Sequence, residues 1–415
     1  MSTYQIKTDG SARRRAKRLR SFDWIPVWLT LAVLLCWIVL HFLTGVSFAG
    51  PTVYNSYTRQ ALAWRNGKTE LPAAAADSGL ELARYDGHIY VSFPPLPSVV
   101  LFPLTFLFGA DTPDNLLVKV YALCACLMAY YALKTAGYSR PVSAMLAFCL
   151  CFVSSMLPLT LEGAVWYHAQ VLAFFLTFSA IFLFTRDQMT GALLCYALSV
   201  ACRPFNALYA IPLFGCYFSI QHRDGVPFKD SLRPLLPGIG LGLTVAAAIA
   251  AYNAVRFGSP FEFGHNYLPE FSTEGGTQFS LSHVPNNLKT FLWGLPLYRD
   301  GNGKLMIARF GFSLLLANPM ITLTLVAFAV DCVKKRMTPE KVLAVATMLA
   351  HLFLLLTHRT MGGYQLGARY AVDTIPYCFL YLLLSRPREK WNRAEIIVCI
   401  PVFILLLAGT YNVHL

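Results

Sequence analysis

The sequence predicts an all-α fold, a polytopic transmembrane helical bundle of about eleven spans, on three observations. Apolar stretches of about 17 to 24 residues recur along the chain, long enough to cross a bilayer at 1.5 Å per residue. Basic turns and aromatic, acid-bearing loops separate them alternately, as two faces of a membrane would require. The composition is 56% hydrophobic, 14% aromatic and only 13% charged over 415 residues, which would leave large apolar patches on any soluble globule. The runs are continuous and do not alternate with period two, so a β-barrel is excluded.

The elements follow in order. Lys7, Arg13, Arg14, Arg15, Lys17, Arg18 and Arg20 are set against Asp9 and, at the boundary of the first apolar run, Asp23. They supply much of the net charge of +13 and read as a cytoplasmic anchor that can also grip anionic headgroups, not as a nucleic-acid site. The first span, 24–46, is too long for a cleavable signal peptide, although Ser47-Phe48-Ala49 would pass as a weak cleavage site. Residues 91–109 carry Pro94, Pro95, Pro97 and Pro103; four prolines would strip a spanning helix of its hydrogen bonds, so this segment is expected to be re-entrant or interfacial. The next spans are 114–136, 139–161 and 169–186. The long run 189–220 is expected to break at Arg203-Pro204 into 189–203 and 204–220. The remaining spans are 235–255, 309–332, 341–357, 369–385 and 394–411.

Charge fixes the expected orientation. With this assignment Lys134, Arg140 and Arg186 all lie in the cytoplasm, whereas the reverse choice at both ambiguous segments would translocate them. The N-terminus is then cytoplasmic and the C-terminus external. A tail, 1–23, precedes one integral membrane domain, 24–415, with external loops at 47–115, 161–168, 256–308 and 358–368. All eleven cysteines fall inside apolar stretches and behave as small hydrophobes, so neither a disulfide framework nor a zinc site is expected.

Loops this long on one face point to function. The first contains Tyr85-Asp86-Gly87-His88-Ile89-Tyr90-Val91-Ser92-Phe93-Pro94-Pro95-Leu96-Pro97, which resembles the proline-rich juxtamembrane segment of polyprenyl-phosphate-sugar-dependent glycosyltransferases of the GT-C superfamily. That group includes protein mannosyltransferases and aminoarabinose transferases. The segments Gly163 to Gln170, Arg203-Pro204, Arg256 to Gly264 and Gly363 to Tyr370 resemble, in the same order, pieces of uncharacterised bacterial membrane proteins of this type. The resemblance implies a GT-C-like bundle in a bacterial cytoplasmic membrane that transfers a sugar from a polyprenyl-phosphate carrier to a glycan, lipid or protein acceptor. One departure is clear. The superfamily commonly places an aspartate soon after the first span, where this chain has Val53-Tyr54-Asn55-Ser56-Tyr57 and no acid from Trp24 to Glu70.

The candidates are weighed against plain structural roles. Asp86, ahead of the proline-rich segment, is the first candidate for a catalytic base, with Asp77 and Glu81 as replacements; the alternative is a turn aspartate bonded to local backbone. Glu162, at the external end of the third span, is the second catalytic acid, in a loop too short to be fully solvated. Arg369 follows a glycine-rich turn and suits a lipid phosphate, unless it simply pairs with Asp373 one helical turn on. Arg203 is a second phosphate ligand, or else a buried arginine bonded to carbonyls freed by Pro204. His168, Tyr90, Tyr364 and His358 are expected to touch substrate. Trp166 and Tyr167 read first as interfacial aromatics, and loop 256–308 as either acceptor recognition or a cover.

No phosphate-loop, dinucleotide-binding or zinc-protease pattern is present, and the histidines lack metal-ligand spacing. No metal site is expected, with room left for a divalent cation beside the acids. The expected chemistry is inverting displacement, with a carboxylate taking the acceptor proton and arginine stabilising the departing phosphate. A transporter or flippase would instead spread charge through the midplane, and a silent scaffold would accord with the missing early aspartate.

Overall fold

The computed structural model describes residues 22–77, 81–269, 278–360 and 362–413. The basic tail up to Arg20 lies outside them. Among the described residues, six helical stretches are long and apolar enough to cross a membrane, and they fall on Ile25–Thr44, Asp114–Thr135, Val165–Phe184, Phe228–Phe257, Pro339–Leu356 and Arg393–Val413. The shorter apolar helices include Arg140–Phe152, Met189–Cys202 and Pro319–Val333.

In chain order, α1 (Ile25–Thr44) is followed by α2 (Ser56–Arg65) and a hairpin of β1 (Leu82–Tyr85) and β2 (His88–Val91). The proline-rich segment then folds as α3 (Leu96–Phe108). At 1.5 Å per residue its 13 residues reach about 20 Å, short of a bilayer core, and it packs along α2 with Phe106, Leu107 and Phe108 bare on its outer side. Next come α4 (Asp114–Thr135), α5 (Arg140–Phe152), α6 (Val165–Phe184) and α7 (Met189–Cys202). The chain breaks at Arg203-Pro204 into a 3-10 turn, Pro204–Tyr209, and resumes as α8 (Ala210–Arg223) and α9 (Leu236–Phe257). A tight proline-led turn there accords with the ring's fixed φ and missing donor. After α10 (Val284–Trp293) and a second hairpin, β3 (Leu297–Arg299) and β4 (Leu305–Ile307), follow α11 (Pro319–Val333), α12 (Pro339–Leu356), α13 (Ile375–Leu383) and α14 (Arg393–Val413).

Several expected spans begin or end differently, among them 204–220, which is α-helical only from Ala210. The 139–161 span is broken after Phe152 and resumes as one short helical turn, Met156–Leu159, because the backbone turns where Ser155 is drawn into tertiary bonds: its N–H donates to Asn318 Oδ1 at 3.0 Å and its hydroxyl accepts from Ala368 N–H at 3.0 Å. The 309–332 span is a regular helix only from Pro319, and the 369–385 span opens as a 3-10 turn, Arg369–Thr374.

The core runs through α4, α6 and α7, with α13 and α12 closing on it, while α9 packs on α7 from outside. Trp37 of α1 is fully buried and its indole N–H reaches Thr160 Oγ1 at 2.8 Å. Conversely, α9 buries only 11% of its apolar window and Phe42 of α1 is 86% exposed, the pattern of faces that meet lipid and not water. At one end of the bundle acids are paired: Asp23 with Lys134, Asp331 with Lys341, Glu340 with Arg223 and Glu395 with Arg388. The opposite end carries both hairpins and two adjoining cavities.

Candidate active site

The first hairpin delivers one wall. Leu82 pairs with Val91 and Tyr85 with His88, around an Asp86-Gly87 turn in which both residues have positive φ, 49° and 75°. That is the two-residue turn whose twist suits a hairpin and which asparagine, aspartate and glycine tolerate. Beyond β2 the chain is clamped twice. Arg256 Nη1 donates to Val91 O at 2.8 Å, and His265 Nδ1 lies 3.0 Å from Ser92 O. Phe93 and Pro94 are thereby held against the inner cavity.

A polar network supplies the second wall. Arg203, released by the break after α7, donates through Nε and Nη2 to Asp373 Oδ2 at 2.9 and 2.6 Å. Gln170 of α6 donates to the other carboxylate oxygen at 2.8 Å and to Arg369 O at 2.9 Å, while Tyr209 OH donates to Asp373 O at 2.6 Å. Asp373 is therefore fully engaged, by Arg203 and not by Arg369. The 3-10 turn over 369–374 rotates Arg369 away from the i, i+4 position a helix would give it.

Arg369 is left as a buried cation without a carboxylate among the described residues. It is 5% exposed; Nη2 donates to Gly362 O at 2.5 Å and Nε has no partner among the described residues. Its guanidinium stands 5.5 Å from the Tyr167 ring and 5.1 Å from Tyr370, and Arg203 lies 5.1 Å from Tyr370 as well. Two arginines thus flank one aromatic ring, and the unneutralised one has a free donor. The Gly362, Gly363 and Gly367 backbones have φ of 110°, 64° and 73°, and a Cβ on Gly367 would come within 2.5 Å of Ser155 Oγ.

Glu162 forms the third wall, and the start of α4 sets its position. Asn115 Oδ1 accepts from Gly163 N–H at 2.7 Å, Lys119 Nζ donates to Leu161 O at 3.2 Å, and Thr52 Oγ1 donates to Glu162 Oε1 at 2.5 Å. A side chain on Gly163 would strike the Asp114 backbone at 2.5 Å, so glycine alone permits this approach. Asp114 is buried and accepts from Thr58 Oγ1 at 3.0 Å. A carboxylate supplied by the 161–164 loop therefore stands against the loop after α1, where the sequence itself has no acid.

The inner cavity, 270 Å³, is walled by Arg203, Asp373, Cys202 and mainly apolar groups such as Phe93, Phe205 and Phe279. The outer one, 600 Å³, is walled by Glu162, Glu81, Tyr54, Tyr167, Thr360 and Tyr364. Arg369, Tyr370, Trp166, His265, His358 and Phe93 border both, which places the unpaired cation at their junction. Burial, with help from the charges of His265, Arg203 and Arg369, pushes the His358 imidazole down to about 3, so it is neutral there.

The site residues foreseen from sequence are divided by the fold. Glu162, Arg369, Arg203, His358, Tyr364 and Glu81 line the cavities. Asp86 does not: it is exposed at the hairpin tip and borders neither cavity, because the turn needs it for its backbone conformation. Tyr90 is packed on Phe257 at 5.3 Å, and His168 is fully buried between the Tyr57 and Tyr121 rings; neither borders a cavity. Asp77 closes the 3-10 turn Ala73–Asp77. Sequence reasoning missed Asp373 as the partner of Arg203, Gln170 as its second donor, and Thr52 as the donor to Glu162. Gln170 and Asp373 each sit in an apolar run, where a lone polar group is a usable signal. Trp166 and Tyr167 are cavity aromatics more than belt residues. Among the described residues, no group of three or more His, Cys, Asp or Glu is placed to hold a metal ion.

No protein-family model and no curated protein matches this sequence. Among solved structures the chain is similar to the apo oligosaccharyltransferase of Archaeoglobus fulgidus, with a TM-score of 0.52 and 12% identity over 94% of this chain and 56% of that one. It is likewise similar to ArnT from Cupriavidus metallidurans bound to undecaprenyl phosphate, with a TM-score of 0.50 and 13% identity over 94% of this chain and 75% of that one. The chain thus spans little more than half the oligosaccharyltransferase. Both neighbours are GT-C glycosyltransferases, and at these identities what is shared with them is the fold.

Proposed function

We propose that the protein is a GT-C-type glycosyltransferase that moves a sugar from a polyprenyl-phosphate carrier to an acceptor on the extracytoplasmic face of the membrane. The observation that carries this reading is the junction itself: a buried arginine with an unpartnered Nε stands between a mainly apolar cavity and one bordered by a carboxylate. The undecaprenyl phosphate bound to the ArnT neighbour supports a lipid-phosphate ligand of this class.

In this reading the donor's first isoprene units occupy the inner cavity and its phosphate meets Arg369. Negative charge grows on the phosphate as the sugar departs, and a fixed cation in water-poor surroundings stabilises that charge without reorganising. Arg203 contributes less, since Asp373 already neutralises it. The sugar extends into the outer cavity. There the Thr52 hydroxyl orients one oxygen of Glu162 and leaves the other to take the acceptor's proton during attack at the anomeric carbon. A base on one side and a phosphate on the other give in-line displacement, with inversion. Asp86 has no part in this chemistry, and Glu81, on the same cavity, is the second carboxylate in reach. The basic residues Lys134, Arg140 and Arg186 at the ion-paired end support a cytoplasmic position for that end and an external one for the cavities.

The test is release of free polyprenyl phosphate from a panel of polyprenyl-phosphate sugars by the purified protein in lipid, compared with Glu162→Gln and Arg369→Ala. Release that requires both residues supports the assignment. Release unaffected by either change would refute the assigned residues, and no release with any donor while the protein moves the intact lipid across a vesicle membrane would replace the reading with a transporter.

A further inference from the structure

We propose that α10 and the β3–β4 hairpin form an in-plane anchor that seats in the headgroup layer beside the cavity end and favours anionic lipid. The sequence leaves loop 256–308 as an acceptor-binding element or a cover. Of the described residues from Val284 to Ile307, none borders either cavity.

Its outward surface is unusually apolar for a loop. Trp293, Leu295 and Phe310 are 76%, 72% and 73% exposed, with Leu281 and Leu305 bare beside them. A patch of this kind rimmed by polar groups marks a membrane or partner surface. Its depth is fixed by hydrogen bonds to a membrane-length helix: Asn287 Nδ2 donates to Leu356 O and to His358 O, both at 2.8 Å, and Leu356 ends α12. The patch therefore lies level with the end of a span, the depth at which tryptophan concentrates in membranes.

The mount is rigid. Phe291 is buried in the core, Ser313 N–H donates to Gly294 O at 3.0 Å, and a side chain on Gly294 would meet Thr290 O at 2.6 Å and Phe312 Cα at 2.9 Å. The outer face cannot fold back onto the bundle without breaking this base. Its charges point to the headgroup. Lys289, Arg299 and Lys304 are exposed, whereas the one acid from Val284 to Ile307, Asp300, has its Oδ1 taken by the backbone N–H groups of Asn302 and Lys304. Three cations around an apolar face match an anionic lipid surface and not a second basic copy of this chain.

The proposal is independent of the sugar-transfer reading and is tested without turnover. Full-length protein is reconstituted in vesicles of phosphatidylcholine and phosphatidylglycerol, and the Trp293 fluorescence is isolated as the difference between the natural protein and Trp293→Phe. Lipids brominated at carbons 6 and 7 should remove at least half of that component, those brominated at carbons 11 and 12 less, and aqueous iodide little. Energy transfer from Trp293 should favour dansyl-phosphatidylglycerol over dansyl-phosphatidylcholine by twofold or more. The Lys289→Ser/Arg299→Ser/Lys304→Ser variant should bring the two to parity, while Lys289→Arg/Lys304→Arg keeps the preference, which separates loss of charge from misfolding. Iodide quenching without bromolipid quenching would place the patch in water and overturn the proposal. Protection from both quenchers, with cross-linking between copies, would assign the surface to a second protein chain and overturn it equally.

Discussion

Replacing Arg369 by alanine tests the proposed donor site most directly. The guanidinium is 5% exposed and has no carboxylate partner among the described residues, so its charge is available to a ligand. A unit charge 4 Å from a phosphate oxygen at an effective dielectric of about 20 contributes roughly 4 kcal/mol. Part of that returns through hydration of the phosphate in the shortened variant, and Arg203, although neutralised by Asp373, still lies across the Tyr370 ring. The net loss should be about 2 to 4 kcal/mol, or roughly 30- to 700-fold in Kd for a polyprenyl phosphate. Arg369→Lys keeps the charge but not the fork, and should lose roughly tenfold. Both variants also forgo or weaken the bond to Gly362 O, so thermal shift and size-exclusion profiles must accompany the binding measurement, for which native mass spectrometry or scintillation proximity with a labelled lipid is suited. If Arg369→Ala binds within about threefold of the natural protein, while folded, the phosphate is held elsewhere and the reasoning from the unpaired cation is refuted.

Glu162→Gln should lower turnover by roughly a hundredfold or more with lipid binding retained, the scale of a lost general base, whereas Asp86→Asn should stay within about threefold. Equal damage from Asp86→Asn in steady-state assays would bring the hairpin tip back into the mechanism. Gly163→Ala forces a contact of 2.5 Å onto the Asp114 backbone and should lower Tm measurably and displace Glu162, read as loss of kcat larger than any loss of lipid affinity. His358 is held neutral to about 3 when folded but titrates near 6.5 when unfolded, so the unfolded state takes up the proton first and stability falls as pH drops from about 6.5 toward 3. Between pH 6.5 and 5 this site should account for roughly 2 kcal/mol of lost stability at most; His358→Gln should flatten that part of the Tm–pH curve, and an unchanged curve would rule out the buried neutral imidazole.

Apolar length and basic turns were enough to read a mostly helical chain with several membrane-length helices, because both are local properties; the expected count of about eleven spans is not matched by the six helices of that length among the described residues. The break at Arg203-Pro204 was equally legible, since proline imposes it whatever surrounds it. The early end of the 139–161 span was not: Ser155 leaves the helix to bond Asn318 and the Ala368 backbone, partners more than 160 residues away. The site divides in the same way. Loop position singled out Glu162 and Arg369, and position alone also favoured Asp86, for which the competing reading, a turn aspartate, is the one the fold adopts at the tip of a hairpin. Whether Asp373 would neutralise Arg369 or Arg203 turned on one 3-10 turn, which sequence spacing treats as α-helix.

The cavities are assembled from Tyr54, Phe93, Glu162, Arg203, His265, His358 and Asp373, segments spread over more than three hundred residues. During synthesis, the Arg203 guanidinium must wait for Asp373 until α8, α9, α11 and α12 have all been made. A nascent chain paused before that point holds a membrane-embedded arginine without its counterion and has no complete ligand chamber. If the proposed lipid phosphate is the ligand, it can be bound only after most of the chain has been made, and it would fasten the ends of a polypeptide whose middle is already in place.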